Sequence, residues 1–340
     1  MKREEFLRQL AAALVSLSDA ERACVIDYYR EMICDGVENG KDEEELIAGF
    51  GNPREIAAQI LKESREGFQE HEVPAESPQA GSAGAARAAP EESVYPARGA
   101  VHTVVVAAQN TAVELRPVQG GPVTVRFTPG TNDHVEVYEQ GGVFSFRQTM
   151  TFSVFHWRDL FSRPRRICVD IPASFAGEIR ASTGNARLRA AGLGSLRAMT
   201  LSTSNGHLSA EGFRCENLRA RTSNGALELR GMRGGACTAQ TSNGRATAEG
   251  CVFRDALSLR SSNGAVCAQD VESDHIEFTT SNGSVSAVIR GDMREYAVRS
   301  RTSNASNTLP PELAYPGQKK SLDVRTSNGR IDVRFAPAQA

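Results

Sequence analysis

The chain has 340 residues, of which 24% are charged, and a formal net charge of −2. This length is enough for two or more domains and for a sizeable buried core. Residues 1–66 carry 9 basic and 15 acidic side chains, whereas residues 101–340 carry 28 and 21. An acidic head is therefore joined to a mildly basic body, and the excess positive charge is too dilute to indicate nucleic-acid binding.

Compartment and cofactor signals are sparse. The seven cysteines form no C-x-x-C pair and have no histidine at zinc-ligand spacing, so we expect small buried thiols, a reducing compartment, no metal and no cofactor. The N-terminus lacks the apolar region of a signal peptide, and no run of about 20 apolar residues is present. These features predict a cytoplasmic protein, which would reach the cell surface only by a nonclassical route.

Residues 1–66 have a helical hydrophobic period and predict four short helices. The first apolar stripe consists of Phe6, Leu7, Leu10, Leu14 and Leu17. A capping box at Ser18 and Glu21 opens the second helix, which we expect to end at Gly36 and Gly40. The fourth begins at Asn52-Pro53. The acidic run from Asp42 to Glu45, before the third helix, has two interpretations: complementing the helix dipole, or docking a basic partner.

Several residues of this head match a known pattern: Phe6-Leu7, Tyr28-Tyr29, Ile33, Phe50-Gly51-Asn52-Pro53 and Ile56-Ala57. Residues 1–66 therefore resemble the bacterial HAAS-type helical signalling domain. In that family the module is commonly followed by membrane helices and is often encoded beside PadR-like transcriptional regulators. The resemblance implies that residues 1–66 bind a protein partner, such as a PadR-like regulator. Residues 67–100, rich in Ala, Pro, Gly, Ser and Glu, predict a disordered linker.

A tetrapeptide close to Thr-Ser-Asn-Gly recurs eight times in the body, at steps of 19 to 24 residues. Steps of this size predict a β-solenoid whose rungs stack on their neighbours. The repeat asparagines are Asn185, Asn205, Asn224, Asn243, Asn263, Asn282, Asn304 and Asn328. We expect a structural role, in which Asn-Gly supplies positive φ at a tight corner and stacked Asn and Thr side chains form ladders.

The fold class is thus a helical head followed by an all-β body. Residues 101–178 predict an irregular β cap with short strands, and residues 179–336 predict the regular rungs, with inward columns of small and aliphatic residues. Leu309-Pro310-Pro311-Glu312-Leu313 lengthens the last steps and predicts a loop between rungs. The run from Ile167 to Pro172, followed by the repeats, resembles a bacterial adhesin-like β-strand-repeat domain of unknown function. That label implies a surface location.

Two surface features are candidate binding sites. The first is an outward arginine stripe containing Arg221, Arg260, Arg301 and Arg325, which could bind an anionic glycan, another anionic polymer or the acidic head. The second is an aromatic and basic cluster formed by Phe155, Trp157, Phe161, Arg165 and Arg166. Both have plainer interpretations, since exposed arginines also solvate a sheet and aromatic residues also close a solenoid end.

The sequence contains no catalytic motif. Outward acids are scattered among different columns, so paired carboxylates for glycoside hydrolysis are not indicated. We therefore expect a non-enzymatic, two-module scaffold in bacterial regulation or envelope-linked signalling. Two alternatives stay open: a surface adhesin that binds glycans and, less favoured, a β-helix enzyme acting on carbohydrate.

Overall fold

The structure is a computed structural model that describes residues 1–17, 19–38, 42–58, 60–61, 92–130, 133–150 and 166–337. The chain forms two compact units, one helical and one of β-strands, and we describe each by itself. Most of the predicted linker and most of the aromatic cluster lie outside the described residues.

The N-terminal unit is helical, as the hydrophobic period predicts. Its helices are α1 (Arg3–Ala13), α2 (Asp19–Glu38) and α3 (Glu43–Phe50), and residues 53–58 and 60–61 are also helical. The second helix ends between the two predicted positions, at Glu38: Gly36 lies inside α2, and Gly40 lies outside the described residues. A single glycine costs a helix only about 1 kcal/mol relative to alanine, so it does not have to end one.

The core of the helical unit is built from the predicted stripes. The Phe6 ring packs against Tyr29 and Phe50, with ring centroids 5.6 and 5.7 Å away. At the start of α3, the carboxylate of Asp42 accepts hydrogen bonds from the backbone N–H groups of Glu44 and Glu45, both at 3.0 Å. The first acid of the acidic run is therefore a helix cap, whereas Glu44 and Glu45 remain exposed.

The β-unit consists of two sheets, which we call sheet 1 and sheet 2. Its N-terminal strands are β1 (Ser93–Pro96), β2 (Thr103–Ala108), β3 (Ala112–Val118), β4 (Thr124–Phe127), β5 (Asp133–Gln140), β6 (Val143–Met150) and β7 (Arg166–Pro172). Of these, β1, β3, β4 and β7 belong to sheet 1, and β2, β5 and β6 belong to sheet 2.

The repeats alternate between the two sheets. Those in sheet 2 are β8 (Glu178–Thr183), β10 (Ser195–Thr203), β12 (Arg214–Thr222), β14 (Arg233–Gln240), β16 (Val252–Arg260), β18 (His275–Thr279), β20 (Tyr296–Arg301), β21 (Glu312–Leu313) and β22 (Lys320–Arg325). Those in sheet 1 are β9 (Leu188–Ala191), β11 (Leu208–Glu211), β13 (Leu227–Arg230), β15 (Ala246–Glu249), β17 (Val266–Val271), β19 (Val285–Arg290) and β23 (Ile331–Ala336). Each of these rungs is one sheet 2 strand, an Asn corner and one sheet 1 strand, except that β20 is followed by β21 of sheet 2.

The threonine of each motif locks its corner to the preceding rung. In the rung of Thr241, the side-chain Oγ1 accepts a hydrogen bond from the backbone N–H of Gly244 at 3.1 Å. The same hydroxyl donates to the backbone carbonyl of Gly225, in the rung before, also at 3.1 Å. Equivalent pairs of bonds recur at Thr203, Thr222, Ser261, Thr280 and Thr326.

The motif glycine is required by close approach between rungs. A Cβ atom placed on Gly244 would lie 1.9 Å from the carbonyl oxygen of Gly225, and one on Gly225 would lie 1.8 Å from that of Gly206. The expectation of positive φ at these corners is wrong: in the described chain, none of the motif glycines and none of the eight repeat asparagines has it. Steric contact with the previous rung, not backbone handedness, excludes a side chain.

Positive φ occurs instead at the opposite corner, where each sheet 1 strand leads into the next sheet 2 strand. The residues in this second column are Gly192, Gly212, Gly231, Gly250, Asp270 and Gly291, with φ between 56° and 107°. Five of the six are glycine, because the left-handed region penalises residues that carry a Cβ. The signal was present in the sequence as a glycine seven residues after four of the eight repeat asparagines.

The repeat asparagines form one continuous ladder. The side-chain Nδ2 of Asn243 donates to Oδ1 of Asn224 at 2.6 Å, and Asn263 donates to Asn243 at 2.6 Å. The ladder begins one rung earlier than the sequence indicates, because Asn185 donates to Asn110 at 2.5 Å. Accordingly, β2 and β3 already form a rung, and the predicted start of the regular array at residue 179 is too late.

The order of the last two rungs differs from their order in the chain. Strand β22 pairs with β18 on one side and with β20 on the other, so the later strand lies inside the earlier one. The asparagine ladder follows the same path: Asn328 donates to Asn282 at 2.7 Å, and Asn304 donates to Asn328 at 2.6 Å. The predicted loop around residues 309–313 contributes β21, which pairs antiparallel with β20 at the sheet edge.

The N-terminal end is closed by antiparallel strands. Strand β5 pairs antiparallel with β6 at the edge of sheet 2, and β1 pairs with β4 at the edge of sheet 1. The predicted linker of residues 67–100 is therefore wrong at its C-terminal end, where Ser93–Pro96 is a strand. Tyr95 explains this strand, because its ring packs against Phe146 with centroids 5.4 Å apart.

We expect Gly244→Ala to lower the free energy of unfolding of the β-unit by about 3 kcal/mol or more, because the new Cβ would overlap the Gly225 carbonyl. The matched control is Gly212→Ala, where φ is +69° and a Cβ meets nothing within 4 Å. That change should cost only about 1–2 kcal/mol. Denaturant titrations of both variants measure the difference, and equal losses would contradict the close-approach explanation.

Candidate binding surface

The two sheets carry very different charge in the repeat region. The sheet 2 strands from β8 to β22 contain 12 Lys and Arg against 6 Asp and Glu, whereas the sheet 1 strands from β9 to β23 contain 4 against 5. Sheet 1 is also cross-linked by ion pairs between rungs, such as Arg189 with Glu211 at 3.4 Å. The outer face of sheet 2 is therefore the basic face of the β-unit.

Four arginines of the predicted stripe lie in one register column on this face. In spatial order the column reads Ser202, Arg221, Gln240, Arg260, Thr279, Arg325 and Arg301. Arg221, Arg260 and Arg325 thus occupy every second rung, with a neutral polar side chain between them. Because neighbouring strands are about 4.8 Å apart, these three arginines recur about every 9.6 Å. We call this set the arginine column.

The members of the arginine column differ in their partners. Nη2 of Arg260 donates to both carboxylate oxygens of Glu277, at 2.8 and 2.6 Å. Arg325 donates to Asp323 through Nε at 2.8 Å and Nη2 at 2.5 Å. Within the described residues, Arg221 makes no side-chain ion pair, and its side chain is exposed. Exposed ion pairs of this kind contribute little to stability. Breaking or sharing them costs little free energy, so these guanidinium groups can bind another anion.

A second pair of arginines flanks a shallow groove at the outermost rung. Arg299 and Arg301 are exposed residues of β20, the strand that pairs with the edge strand containing Glu312. Together with Pro311 and Arg325 they line a cavity of about 740 Å³. The loop beside it is held in place because Ser300 Oγ donates to the Pro310 carbonyl at 2.7 Å.

Most of the predicted aromatic cluster cannot be placed. Phe155, Trp157, Phe161 and Arg165 lie outside the described residues. Arg166 is described at the first position of β7, where its Nη1 donates to Glu114 Oε2 at 2.7 Å on the adjacent strand. This arginine therefore pairs with an acid on the outer face of sheet 1.

A buried carboxylate, absent from the predicted sites, joins three strands of sheet 1. Asp170 of β7 accepts hydrogen bonds from Nε of Arg116 at 2.5 Å and Nε of Arg126 at 2.7 Å. Its side chain is only 4% exposed. Burial alone would raise the pKa of Asp170, but the hydrogen bonds and charges of Arg116 and Arg126 outweigh it and lower that pKa.

These features can be compared with known proteins. Residues 101–335 match the family model of the toastrack domain DUF4097, which covers well over half of the chain. The chain belongs to the toastrack family. Residues 5–59 match the HAAS family model, so both resemblances seen in the sequence are confirmed. The toastrack domain thus begins near β2 and ends within β23.

Other comparisons add little about the toastrack domain. A crystal structure described as a candidate cell adhesion protein from Clostridium sporogenes is 6% identical, with a TM-score of 0.29. It matches over 73% of this chain and all of its own length. No curated protein sequence matches. Among the described residues, no helix is both long and apolar enough to cross a membrane.

Three of the five described cysteines of the toastrack domain are buried and poorly placed for thiolate chemistry, whereas Cys168 and Cys267 are half-buried. Burial raises the pKa of the Cys215 thiol to about 11, and it also raises the pKa of Cys237 and Cys251. These thiols are therefore protonated at neutral pH, in line with the expectation of small buried side chains. Within the described ranges, no group of three or more His, Cys, Asp or Glu residues is placed to hold a metal ion.

We expect Asp170→Asn to lower the unfolding free energy of the toastrack domain by about 1–3 kcal/mol at neutral pH, because two charged hydrogen bonds are weakened. The lowered pKa means that this contribution is complete above the ordinary aspartate value of about 3.9 and is lost as pH falls through the lower native value. Denaturant titrations at pH 7 and pH 3 should therefore show the variant's deficit shrinking in acid.

The matched control for this experiment is Asp332→Asn. Asp332 also faces two arginines, Arg330 at 3.1 Å and Arg334 at 3.4 Å, but its side chain is 24% exposed. We expect a smaller loss there, about 0.5 kcal/mol. We call Asp170 with Arg116 and Arg126 the Asp170 clamp. An equal loss of unfolding free energy in both variants, or a loss in Asp170→Asn that persists at pH 3, would show that this clamp stabilises the domain no more than an exposed pair.

Proposed function

We propose that this protein is a non-enzymatic, two-module scaffold in bacterial regulation or envelope-linked signalling. The helical head binds a protein partner, and the toastrack domain acts as a rigid binding platform. One observation carries the proposal: a HAAS module precedes a solenoid whose corners are bonded rung to rung by Thr and Asn side chains. The Thr and Asn side chains of the repeat are thus hydrogen-bonded to neighbouring rungs.

The rigidity of the platform follows from its bonding. Each corner is held by a threonine hydroxyl that both accepts and donates, and by an asparagine that donates to the next asparagine. Because these bonds repeat in register, a local opening would have to break bonds to rungs on both sides. Such a body keeps outward side chains at fixed separations, which is what a platform requires.

The head offers a surface for a basic partner. Asp42 is occupied as the cap of α3, but Glu44 and Glu45 are exposed and make no side-chain ion pair with other described residues. Acids in the first turn also complement the helix dipole, so their presence alone does not require a partner. A PadR-like regulator is the partner that the HAAS resemblance favours.

We expect the double change Glu44→Lys and Glu45→Lys to weaken binding of a PadR-like regulator from the same genome by about tenfold or more. The reason is that both charges facing the partner are reversed. The matched control is Glu4→Lys with Glu5→Lys, which reverses two exposed acids of α1. Calorimetric titration of the purified pair measures both affinities. Failure of the unaltered protein to bind, or equal weakening by both double changes, would reject this surface.

A second candidate function is that of a glycan-binding protein at the cell surface. The basic face of sheet 2 favours it, because that face carries twice as many basic as acidic side chains. Treating intact cells with a membrane-impermeant, amine-reactive label distinguishes the two functions. We expect the protein to be labelled only after lysis if it acts on a cytoplasmic regulator, and labelling on intact cells would favour the surface function instead.

A further inference from the structure

We propose that the arginine column of the toastrack domain binds a linear anionic polysaccharide that carries one acidic group per disaccharide and lies parallel to the stacking axis. This inference deepens the role of the β-unit as a binding platform and rests on that proposed function. Its basis is the register: Arg221, Arg260 and Arg325 lie two rungs apart in a single column, and Arg301 lies one rung beyond Arg325.

The spacing selects the class of polymer. Two rungs correspond to about 9.6 Å, and Arg221 to Arg325 spans four rungs, or about 19 Å. A separation of this size is on the scale of a disaccharide repeat in an extended polysaccharide. Phosphates in a nucleic acid recur much more densely, about every 3.4 Å along each strand of a duplex. A polymer with one acid per disaccharide therefore fits the column better than a nucleic acid does.

The side chains between the arginines suit sugar hydroxyls. Gln240 and Thr279 occupy the intervening rungs of the column. In spatial order, the neighbouring outward column reads Arg180, Thr200, Arg219, Thr238, Ser258, Glu277, Asp323 and Arg299. Amides and hydroxyls donate and accept hydrogen bonds, as sugar hydroxyls also do. The aromatic residues of these strands, Phe253, Phe278 and Tyr296, are fully buried. The strands from β10 to β22 in sheet 2 therefore present no aromatic ring on which a base could stack.

The ion pairs already present leave room for a ligand. Arg260 donates to Glu277 through Nη2 alone, so its other N–H groups can reach an incoming carboxylate. Arg325 is held by Asp323 through Nε and Nη2, which fixes the orientation of the guanidinium. Arg221 has no ion pair among the described residues. An arginine fork binds a carboxylate in two parallel hydrogen bonds, so orientation contributes to recognition.

The test uses the full chain and a fluorescently labelled hyaluronan hexasaccharide, which carries three carboxylates, one per disaccharide. We expect measurable binding at low salt, with affinity at least tenfold above that for the disaccharide, because three contacts then form on one molecule. Each of Arg221→Gln, Arg260→Gln and Arg325→Gln should weaken binding by about fivefold or more. Glutamine is a tolerated replacement, since Gln240 occupies the same column.

A rearranged variant tests the spacing apart from the charge. Combining Gln240→Arg with Arg260→Gln keeps the net charge but moves the central arginine by one rung. We expect this variant to bind as weakly as Arg260→Gln alone. The matched control, Arg230→Gln, removes an exposed arginine from sheet 1 and should leave affinity unchanged. Unfolding midpoints of all variants, measured by circular dichroism, verify that each one is folded.

Three outcomes would overturn the proposal. One is unchanged affinity of the rearranged variant for the hexasaccharide, which would show that net charge and not the spacing of the arginines determines binding. Another is tighter and equally arginine-dependent binding of polyphosphate, which would assign the column to a phosphate polymer. The third is hexasaccharide binding only after Glu44→Gln and Glu45→Gln, which would assign the column to the acidic head. Partner binding by the head, measured on the variants of the arginine column, should be unchanged, so the scaffold proposal is judged separately.

Discussion

The β-unit depends on the close stacking of backbone at its Asn-Gly corners. Successive corners lie so near each other that a Cβ atom on most motif glycines would fall about 2 Å from a carbonyl oxygen of the previous rung. Only glycine fits at those six corners, whereas alanine follows Asn185 and Asn304. The threonine hydroxyl two residues before the asparagine satisfies polar groups of both rungs. This single contact explains why the tetrapeptide repeats with so little variation, since changing either residue opens a gap or a clash in the stack.

The corner contact also determines what the surface can do. Because every rung is aligned at its corner, the outward side chains form columns. A substitution in one rung therefore changes the side chain at one position of one column. Selection can therefore alter the charge of sheet 2 without altering the fold. The two sheets differ in this way, with acids and bases interleaved on sheet 1 and arginines in excess on sheet 2. The corners and the inward columns hold the fold together, and the outward columns set the charge of the surface.

Much of this architecture could be predicted from sequence, because the repeat spacing and the alternation of strands are local signals. The inward columns and the common face of Arg221, Arg260, Arg301 and Arg325 follow from spacing alone. Other features depend on long-range contacts that spacing does not encode. Asn110 joins the ladder 75 residues before Asn185, across the strands that close the end. The Asp170 clamp likewise joins residues 44 and 54 positions apart.

The exchanged order of the last rungs was also beyond local reasoning, because residues 301–304 and 325–328 are both Arg-Thr-Ser-Asn. The exchange has a consequence for how the chain is made. During synthesis, β20 leaves the ribosome before β22, the strand that must separate it from β18, has been translated. The end of the stack therefore cannot reach its final arrangement until β22 has been made. The earlier strand, β20, completes its pairing only after the later strand has been inserted beside β18.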